Sequence, residues 1–134
     1  MSQPRPPRNL QKNGWAKFIA GFGYAFNGLW YALRTQVNMR VHISMAVLAI
    51  LVGILLRIST IEFAIIFVVI TVVFVAEMFN TVFELCIDLF SPEYHPLAKT
   101  AKDVAAGAVL VSAIFAVITG LLIFGPRLWA LIRL

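Results

Sequence analysis

Apolar residues form three long runs along the chain, and these runs predict three membrane-spanning helices. Residues 43–56 are uncharged, residues 61–83 carry only two acidic side chains, and residues 104–124 carry no charge at all. A helix needs about 20 mostly apolar residues to cross the hydrocarbon core of a bilayer. The third run meets that length alone, whereas the first needs additional residues from about Val37 onward. We therefore expect transmembrane helices at about 37–56, 61–88 and 97–124.

A different pattern precedes these runs at residues 15–34. Large apolar side chains recur there three and four positions apart: Trp15, Phe18, Ile19, Phe22, Phe26, Leu29, Trp30 and Leu33. This spacing predicts an amphipathic helix, which we expect to lie on the membrane surface among the lipid headgroups. Residues 1–14 are rich in proline and basic residues, and we expect them to be disordered. A signal peptide is excluded because the first uncharged apolar run begins only near residue 43.

The composition supports the membrane interpretation. Hydrophobic residues make up 61% of the chain and charged residues 13%, whereas soluble domains contain about 45–50% and about 25%. Most classes of soluble enzyme are therefore excluded. The lone cysteine, Cys86, also excludes a disulfide scaffold and a cysteine zinc site. We predict an all-α membrane protein with one domain at 15–134, built from a surface helix and three transmembrane helices.

Basic residues are concentrated before the first span, and the formal net charge is +5. Six of them precede the uncharged apolar run at 43–56: Arg5, Arg8, Lys12, Lys17, Arg34 and Arg40. Because positive charge favours the cytoplasmic side of a membrane, we expect the N-terminus and the 89–103 loop to face the cytoplasm. We expect this basic flank to meet anionic lipid headgroups. Nucleic acid is not expected as a partner, since the basic residues are spread over the flanks and the aromatic residues lie on apolar faces.

Acidic residues are concentrated near the end of the second run, where five of the six fall between positions 77 and 103. At about 100° per residue, one helix face carries Glu77, Asn80, Thr81, Glu84 and Asp88. A charged side chain near the bilayer centre costs about 2.5–3.5 kcal/mol, and aligned carboxylates repel unless a cation, a proton or a basic partner is near. We interpret Glu77 and Glu84 as a general base and a divalent-metal ligand. A polar helix–helix contact through Asn80 and Thr81 is the structural alternative.

The next segment carries basic residues that complement these acids. A short loop ends at Pro96, a residue that is accepted in the first turn of a helix. Lys99, Lys102 and Asp103 follow in the first turns. Lys102 and Asp103 would face the acidic helix across the loop, whereas Lys99 is equally consistent with a lysine that extends to the lipid headgroups.

Two motifs lie in these segments. The first is E-x-x-N-x-x-x-E at 77–84, and the second is A-K-D-x-A-A-G-A-V at 101–109. The segments NMRVH at 38–42 and IFGPR at 123–127 accompany them. Together they resemble the prokaryotic diacylglycerol kinase/undecaprenol kinase family over residues 15–128, most of the chain.

The resemblance implies a small kinase of the bacterial cytoplasmic (inner) membrane that forms a homotrimer. It implies transfer of the γ-phosphate of ATP, with Mg²⁺, to the hydroxyl of a membrane lipid alcohol. The HPLAK sequence at 95–99 favours undecaprenol as the acceptor, and diacylglycerol is the alternative within the family. The alternative outside the family is a non-enzymatic membrane protein that binds a cation or holds an assembly together, and ATP turnover separates it from a kinase. An ion channel with a ring of acids does not explain Lys102 and Asp103.

The resemblance also implies roles for individual residues. Glu77 matches the general base of the family, and Glu84 matches the carboxylate that holds the metal on the ATP phosphates. Asn80 and Thr81 would orient the reacting groups. ATP contacts are implied at Lys17, Tyr24, Gln36, Glu84, Asp88, Glu93, Tyr94, His95, Lys102 and Asp103.

Gln36 departs from the family pattern, which usually has a glutamate there as a second metal ligand. A glutamine oxygen can bind Mg²⁺ but brings no charge. Mg²⁺ often binds through one or two carboxylates together with substrate phosphates, so Glu84 and the phosphates could suffice. We therefore expect Gln36 to be a weak metal ligand, and the enzyme to be active with weakened metal affinity.

Overall fold

The structure is a computed structural model that describes residues 14–133. Within this range the chain forms four helices and no strand. The helices are α1 (Gly14–Thr35), α2 (Val37–Leu55), α3 (Thr60–Phe90) and α4 (Pro96–Ile132). The bounds of α1 agree with the helix expected at 15–34. The segment expected to be disordered, 1–14, lies outside the described residues except for Gly14, which begins α1.

Three of the helices, α2, α3 and α4, are long and apolar enough to cross a membrane. The prediction of three transmembrane helices is therefore confirmed. At 1.5 Å per residue, α3 with 31 residues is about 46 Å long and α4 with 37 residues about 55 Å. Both exceed the hydrocarbon core of about 30 Å. Part of each helix therefore extends past the apolar layer. Three of the four acidic residues of α3, Glu77, Glu84 and Asp88, lie in its C-terminal half.

Residues from Ala32 onward form one compact unit, and α1 as far as Tyr31 belongs to another. Within the larger unit α3 and α4 pack along each other most extensively, and α2 packs mainly on α3. The buried apolar side chains of Ile58, Ile66 and Ile123 bring the three helices together. The contact lies near the start of α3 and the end of α4, opposite to the acidic end of α3.

At the same end of the unit, an ion pair links α4 to the first turn of α3. Arg127 donates from Nη1 and Nη2 to the two carboxylate oxygens of Glu62, each at 2.8 Å. Glu62 also accepts from the Ser59 backbone N–H at 2.7 Å, and Ser59 Oγ accepts from the Glu62 N–H at 3.3 Å. This reciprocal cap fixes the first turn of α3. The single carboxylate of Glu62 therefore both starts α3 and holds α4 against it.

The last helix ends later than expected. The expected end at 124 was the end of the uncharged run 104–124, but α4 continues through Pro126 to Ile132. Proline removes one backbone hydrogen bond from a helix, and transmembrane helices tolerate it where neighbouring groups satisfy the backbone. Here Arg127 Nη1 also donates to the carbonyl oxygen of Ile123 at 2.9 Å. The same guanidinium therefore supports the disturbed turn and, through Glu62, anchors it to α3.

A tight turn joins α2 to α3. Arg57 has φ 49°, in the left-handed region, and the Ile58 N–H donates to the Gly53 carbonyl at 3.1 Å. A Cβ atom on Gly53 would lie 3.0 Å from both Ile58 Cδ1 and Phe63 Cε1. A side chain at position 53 would therefore press on Ile58 and Phe63, and glycine lets the two side chains pack closely against α2.

We expect Gly53→Leu to lower the free energy of unfolding by about 1–3 kcal/mol, because the larger side chain overpacks the contact with Ile58 and Phe63. Gly125→Leu is the matched control, since nothing lies within 4 Å of a Cβ atom at Gly125. Chemical denaturation of the purified protein in one detergent measures both. Equal losses of stability in the two variants would contradict the assigned contact.

Candidate functional site

Three polar residues of the otherwise apolar α3 are buried. Glu77 is 0% exposed, Asn80 5% and Thr81 4%. Thr81 Oγ1 donates to the Glu77 backbone carbonyl at 2.9 Å, so its hydroxyl is satisfied within the helix. Burial of polar side chains is unfavourable unless they form hydrogen bonds. Two of the three, Glu77 and Asn80, do not satisfy that condition fully.

The carboxylate of Glu77 lies in a small cavity. Both of its oxygens, and Oδ1 of Asn80, are buried and have no hydrogen-bond partner in the part of the chain that the structure describes. The cavity has a volume of about 230 Å³. Its lining comes from three helices: Asn38, Val41 and His42 of α2, Glu77 and Asn80 of α3, and Ala106, Val109, Leu110 and Ala113 of α4. Unpartnered acceptors in an enclosed space are suited to receive a proton or a donor from a bound molecule.

Glu84 lies on the same side of α3 and its carboxylate is partnered. Asn80 Nδ2 donates to Oε1 of Glu84 at 3.0 Å, and Gln36 Nε2 donates to Oε2 at 3.2 Å. Gln36 is the N-cap residue of α2 and makes no side-chain cap of that helix. The structure therefore brings together Gln36, Asn80 and Glu84, which the sequence separates by up to 48 positions.

A second polar group joins the acidic end of α3 to the first turns of α4. Lys102 Nζ forms an ion pair with Asp88 between the two helices. Lys99 Nζ pairs with Asp103 at 2.6 Å within α4. The Lys99 pair is more exposed than the Lys102 side chain, whose exposed fraction is 36%. The antiparallel packing of α3 and α4 thus brings Asp88 and Lys102 together, as the sequence suggested for Lys102.

The loop between α3 and α4 carries three further predicted residues, Glu93, Tyr94 and His95, which are all exposed. Ser91 Oγ donates to the Glu93 carbonyl at 3.2 Å. His95 is the N-cap of α4, and its Nδ1 accepts from the Leu97 backbone N–H at 3.2 Å. These residues shape the start of α4 and stay predictions as ATP contacts. Lys17 and Tyr24 lie on α1 in the other unit and also stay predictions.

Two polar residues that line the cavity, Asn38 and His42, were not among the predicted site residues. Asn38 and His42 are four positions apart, so they lie on one face of the first turns of α2. The signal available was this pair of polar side chains at the start of an apolar helix, within the 38–42 segment that contributed to the resemblance. Its function could not be assigned without the contact with α3.

The residues present are compatible with a magnesium ion carried largely by a nucleotide. Among the described residues no three His, Cys, Asp or Glu side chains form a group that could hold a metal ion. One carboxylate, Glu84, and the buried unpartnered Oδ1 of Asn80 are nevertheless oxygen donors beside each other. Mg²⁺ is commonly held by one or two carboxylates, with substrate phosphates and waters completing its shell.

Comparison with known proteins supports a kinase. A family model described as prokaryotic diacylglycerol kinase matches residues 23–124. The undecaprenol kinase of Bacillus subtilis (strain 168) is 43% identical over 117 residues, which cover 87% of this chain and 95% of that protein. A diacylglycerol kinase of Synechocystis sp. is 40% identical, covering 97% and 77% of the two chains. A diacylglycerol kinase of Escherichia coli (strain K12) is 30% identical over 79% of this chain.

The matched region contains α2, α3 and all the cavity residues, and the kinase relatives cover most of the chain. These matches confirm the family that the two sequence motifs indicated. The chain is a membrane lipid kinase that belongs to the prokaryotic diacylglycerol kinase family.

Proposed function

We propose that this protein transfers the γ-phosphate of ATP to the hydroxyl of undecaprenol in the bacterial cytoplasmic membrane. The observation that carries the proposal is the Glu77 carboxylate, which is wholly buried and unpartnered among the described residues. It lies in a cavity whose α4 wall is entirely apolar. Such a carboxylate can accept the proton of a hydroxyl that arrives on an apolar chain.

The choice of undecaprenol rests on the Bacillus subtilis relative, which covers nearly its whole length at 43% identity. Diacylglycerol is the second candidate acceptor, and the Synechocystis relative at 40% identity favours it. Both alcohols would present a hydroxyl on an apolar molecule to Glu77. Purified protein in lipid vesicles with Mg²⁺ and ATP, offered undecaprenol and diacylglycerol in parallel, distinguishes them. Faster phosphorylation of diacylglycerol would overturn the undecaprenol assignment and retain the kinase.

The proposed reaction needs alignment and positive charge more than covalent chemistry by the protein. The lipid oxygen forms a bond to the γ-phosphorus, the bond from that phosphorus to the bridging oxygen breaks, and ADP leaves. Glu77 accepts the hydroxyl proton. Lys102 would bring positive charge towards the phosphates, and Asn80 would orient the acid groups on either side of it. Glu84, with Asn80 and Gln36 beside it, would hold Mg²⁺, which when bound neutralises phosphate charge.

The assembly and orientation belong to the same proposal. We propose a homotrimer with the N-terminus and the α3–α4 loop on the cytoplasmic side, where ATP is available. The excess of basic residues before α2 supports this orientation. Extensive exposed apolar surface on α2, α3 and α4 is consistent with coverage by lipid and by neighbouring subunits. Within the larger unit the 93–95 loop would complete the nucleotide site, and Lys17 and Tyr24 of α1 stay ATP contacts implied by the family resemblance alone.

We expect Glu77→Gln to lower turnover by about 10²–10⁴-fold, because an amide cannot accept the hydroxyl proton. ATP binding should persist, since the substitution keeps the size of the side chain. Glu62→Gln is the matched control: it makes the same chemical change about 22 Å away along α3 and should retain turnover. Phosphorylated lipid and bound nucleotide are measured separately. Normal turnover in Glu77→Gln would remove the assignment of Glu77 as the base.

We expect Gln36→Glu to lower the Mg²⁺ concentration needed for half-maximal rate. The substitution replaces an amide donor to Glu84 with a second carboxylate, and two adjacent carboxylates favour a divalent cation between them. Glu84→Gln should shift the requirement in the opposite direction. The measurement is the rate against free Mg²⁺ at constant ATP. An unchanged requirement in Gln36→Glu would show that position 36 does not contribute to the metal site.

We expect Lys102→Met to raise the KM for ATP by about tenfold or more, the effect of losing one charged hydrogen bond to phosphate. Lys99→Met should have a smaller effect, because Lys99 forms an exposed pair within its own helix. Both variants remove one positive charge from the same turns of α4. Steady-state kinetics with varied ATP distinguish them, and equal changes in KM would argue against a specific contact by Lys102.

A further inference from the structure

Because Glu77 is buried, the proton that it accepts in each turnover needs a route out of the cavity. A general base that accepts a proton in each turnover must release it before the next one. Glu77 is 0% exposed, so its carboxylate has no direct contact with bulk water. Its oxygens also have no hydrogen-bonded neighbour among the described residues that could carry the proton away. A proton on Glu77 therefore needs another group in the cavity as an exit.

His42 is the group that the cavity offers. It lines the cavity from α2, opposite the helix that bears Glu77, and it is close enough for the charges of the two side chains to interact. Its side chain is half-buried, so it connects the cavity with the outside. Imidazole is the side chain that ordinarily gains and loses a proton near neutral pH.

No other lining residue can serve in this way. The α4 wall consists of alanine, valine and leucine side chains, and Asn38 and Asn80 do not titrate. Glu84, the other acid that acts electrostatically on Glu77, is outside the lining, and both its oxygens accept amide hydrogen bonds. Of the residues that line the cavity, Glu77 and His42 are therefore the two with ionisable side chains.

We propose that His42 is the proton exit of Glu77, a role that rests on the proposed function. In the transfer step the lipid O–H bond breaks as its oxygen bonds to the γ-phosphorus, and the proton passes to a Glu77 oxygen. Glu77 then gives the proton, through a water molecule for which the cavity has room, to the unprotonated ring nitrogen of His42, and the other ring nitrogen releases a proton to water. Each cycle thus returns both side chains to their starting state and leaves phosphorylated lipid, ADP and one proton in solution. No further reactant is needed.

The test removes the imidazole ring of His42 by substitution and then adds free imidazole to the assay. We expect His42→Ala to lower kcat by about 10²-fold, the lower end of the contribution of a positioned acid–base group, with little change in the KM for ATP or lipid. Added imidazole should restore part of kcat in a concentration-dependent way. The rescued rate should rise with pH as more of the imidazole becomes neutral.

Two further variants separate proton transfer from packing. His42→Gln keeps a polar side chain of similar length, but an amide cannot take up and release a proton near neutral pH. This variant should therefore remain as slow as His42→Ala. Ser44→Ala is the control on α2, because Ser44 is exposed and its hydroxyl donates only to the Arg40 carbonyl of the preceding turn. It should keep the wild-type kcat and should not respond to imidazole.

Each possible result either supports or overturns the role of His42 as the proton exit. Wild-type kcat in His42→Ala, full activity in His42→Gln, or a loss that imidazole does not restore would overturn the proton exit and leave the kinase assignment intact. If wild-type protein phosphorylates no lipid alcohol, the proposed function fails, and the proton exit fails with it. Restoration of His42→Ala by imidazole, with His42→Gln slow, is the supporting result.

Discussion

A carboxylate that loses its water without gaining a hydrogen bond destabilises a folded protein by several kcal/mol. Glu77 is in that position among the described residues, on a helix whose buried side chains before it, Ile66 and Val73, are apolar. The fold must offset this cost elsewhere. It does so with the packing of α2, α3 and α4 around Ile58, Ile66 and Ile123, at the opposite end of the bundle. The stable end and the reactive end of the unit are therefore physically separate.

Two acids of α3, Glu62 and Glu77, show how environment decides the role of a carboxylate. Glu62 accepts two hydrogen bonds from Arg127 and one from the Ser59 backbone, so its charge is fully compensated and its role is structural. Glu77 has the same carboxylate and none of these partners among the described residues. A compensated carboxylate holds helices together, whereas an uncompensated one is available for a substrate. This difference, more than the presence of an acid in a membrane helix, is why we assign the chemistry to Glu77.

The sequence could predict those features that depend on local periodicity. Long apolar runs located α2, α3 and α4, and the 100° spacing placed Glu77, Asn80 and Glu84 on one face. Features that depend on contacts between helices could not be predicted in this way. The anchoring of the end of α4 to α3 depends on Arg127 and on Glu62, which lies 65 positions away in the sequence. The inclusion of His42 in the cavity likewise required the packing of α2 against α3 and α4.

The sequence singled out position 36, but the hydrogen bond that Gln36 donates to Glu84 is visible only in the structure. A glutamate at this position would bring a second negative charge to Glu84 before any cation arrives, and the two carboxylates would repel. Glutamine instead donates a hydrogen bond to Glu84, so the site carries one negative charge less. In the function proposed above, such a site would suit a magnesium ion that arrives with the phosphates of ATP, because the nucleotide then brings both the cation and the ligands that Gln36 does not provide.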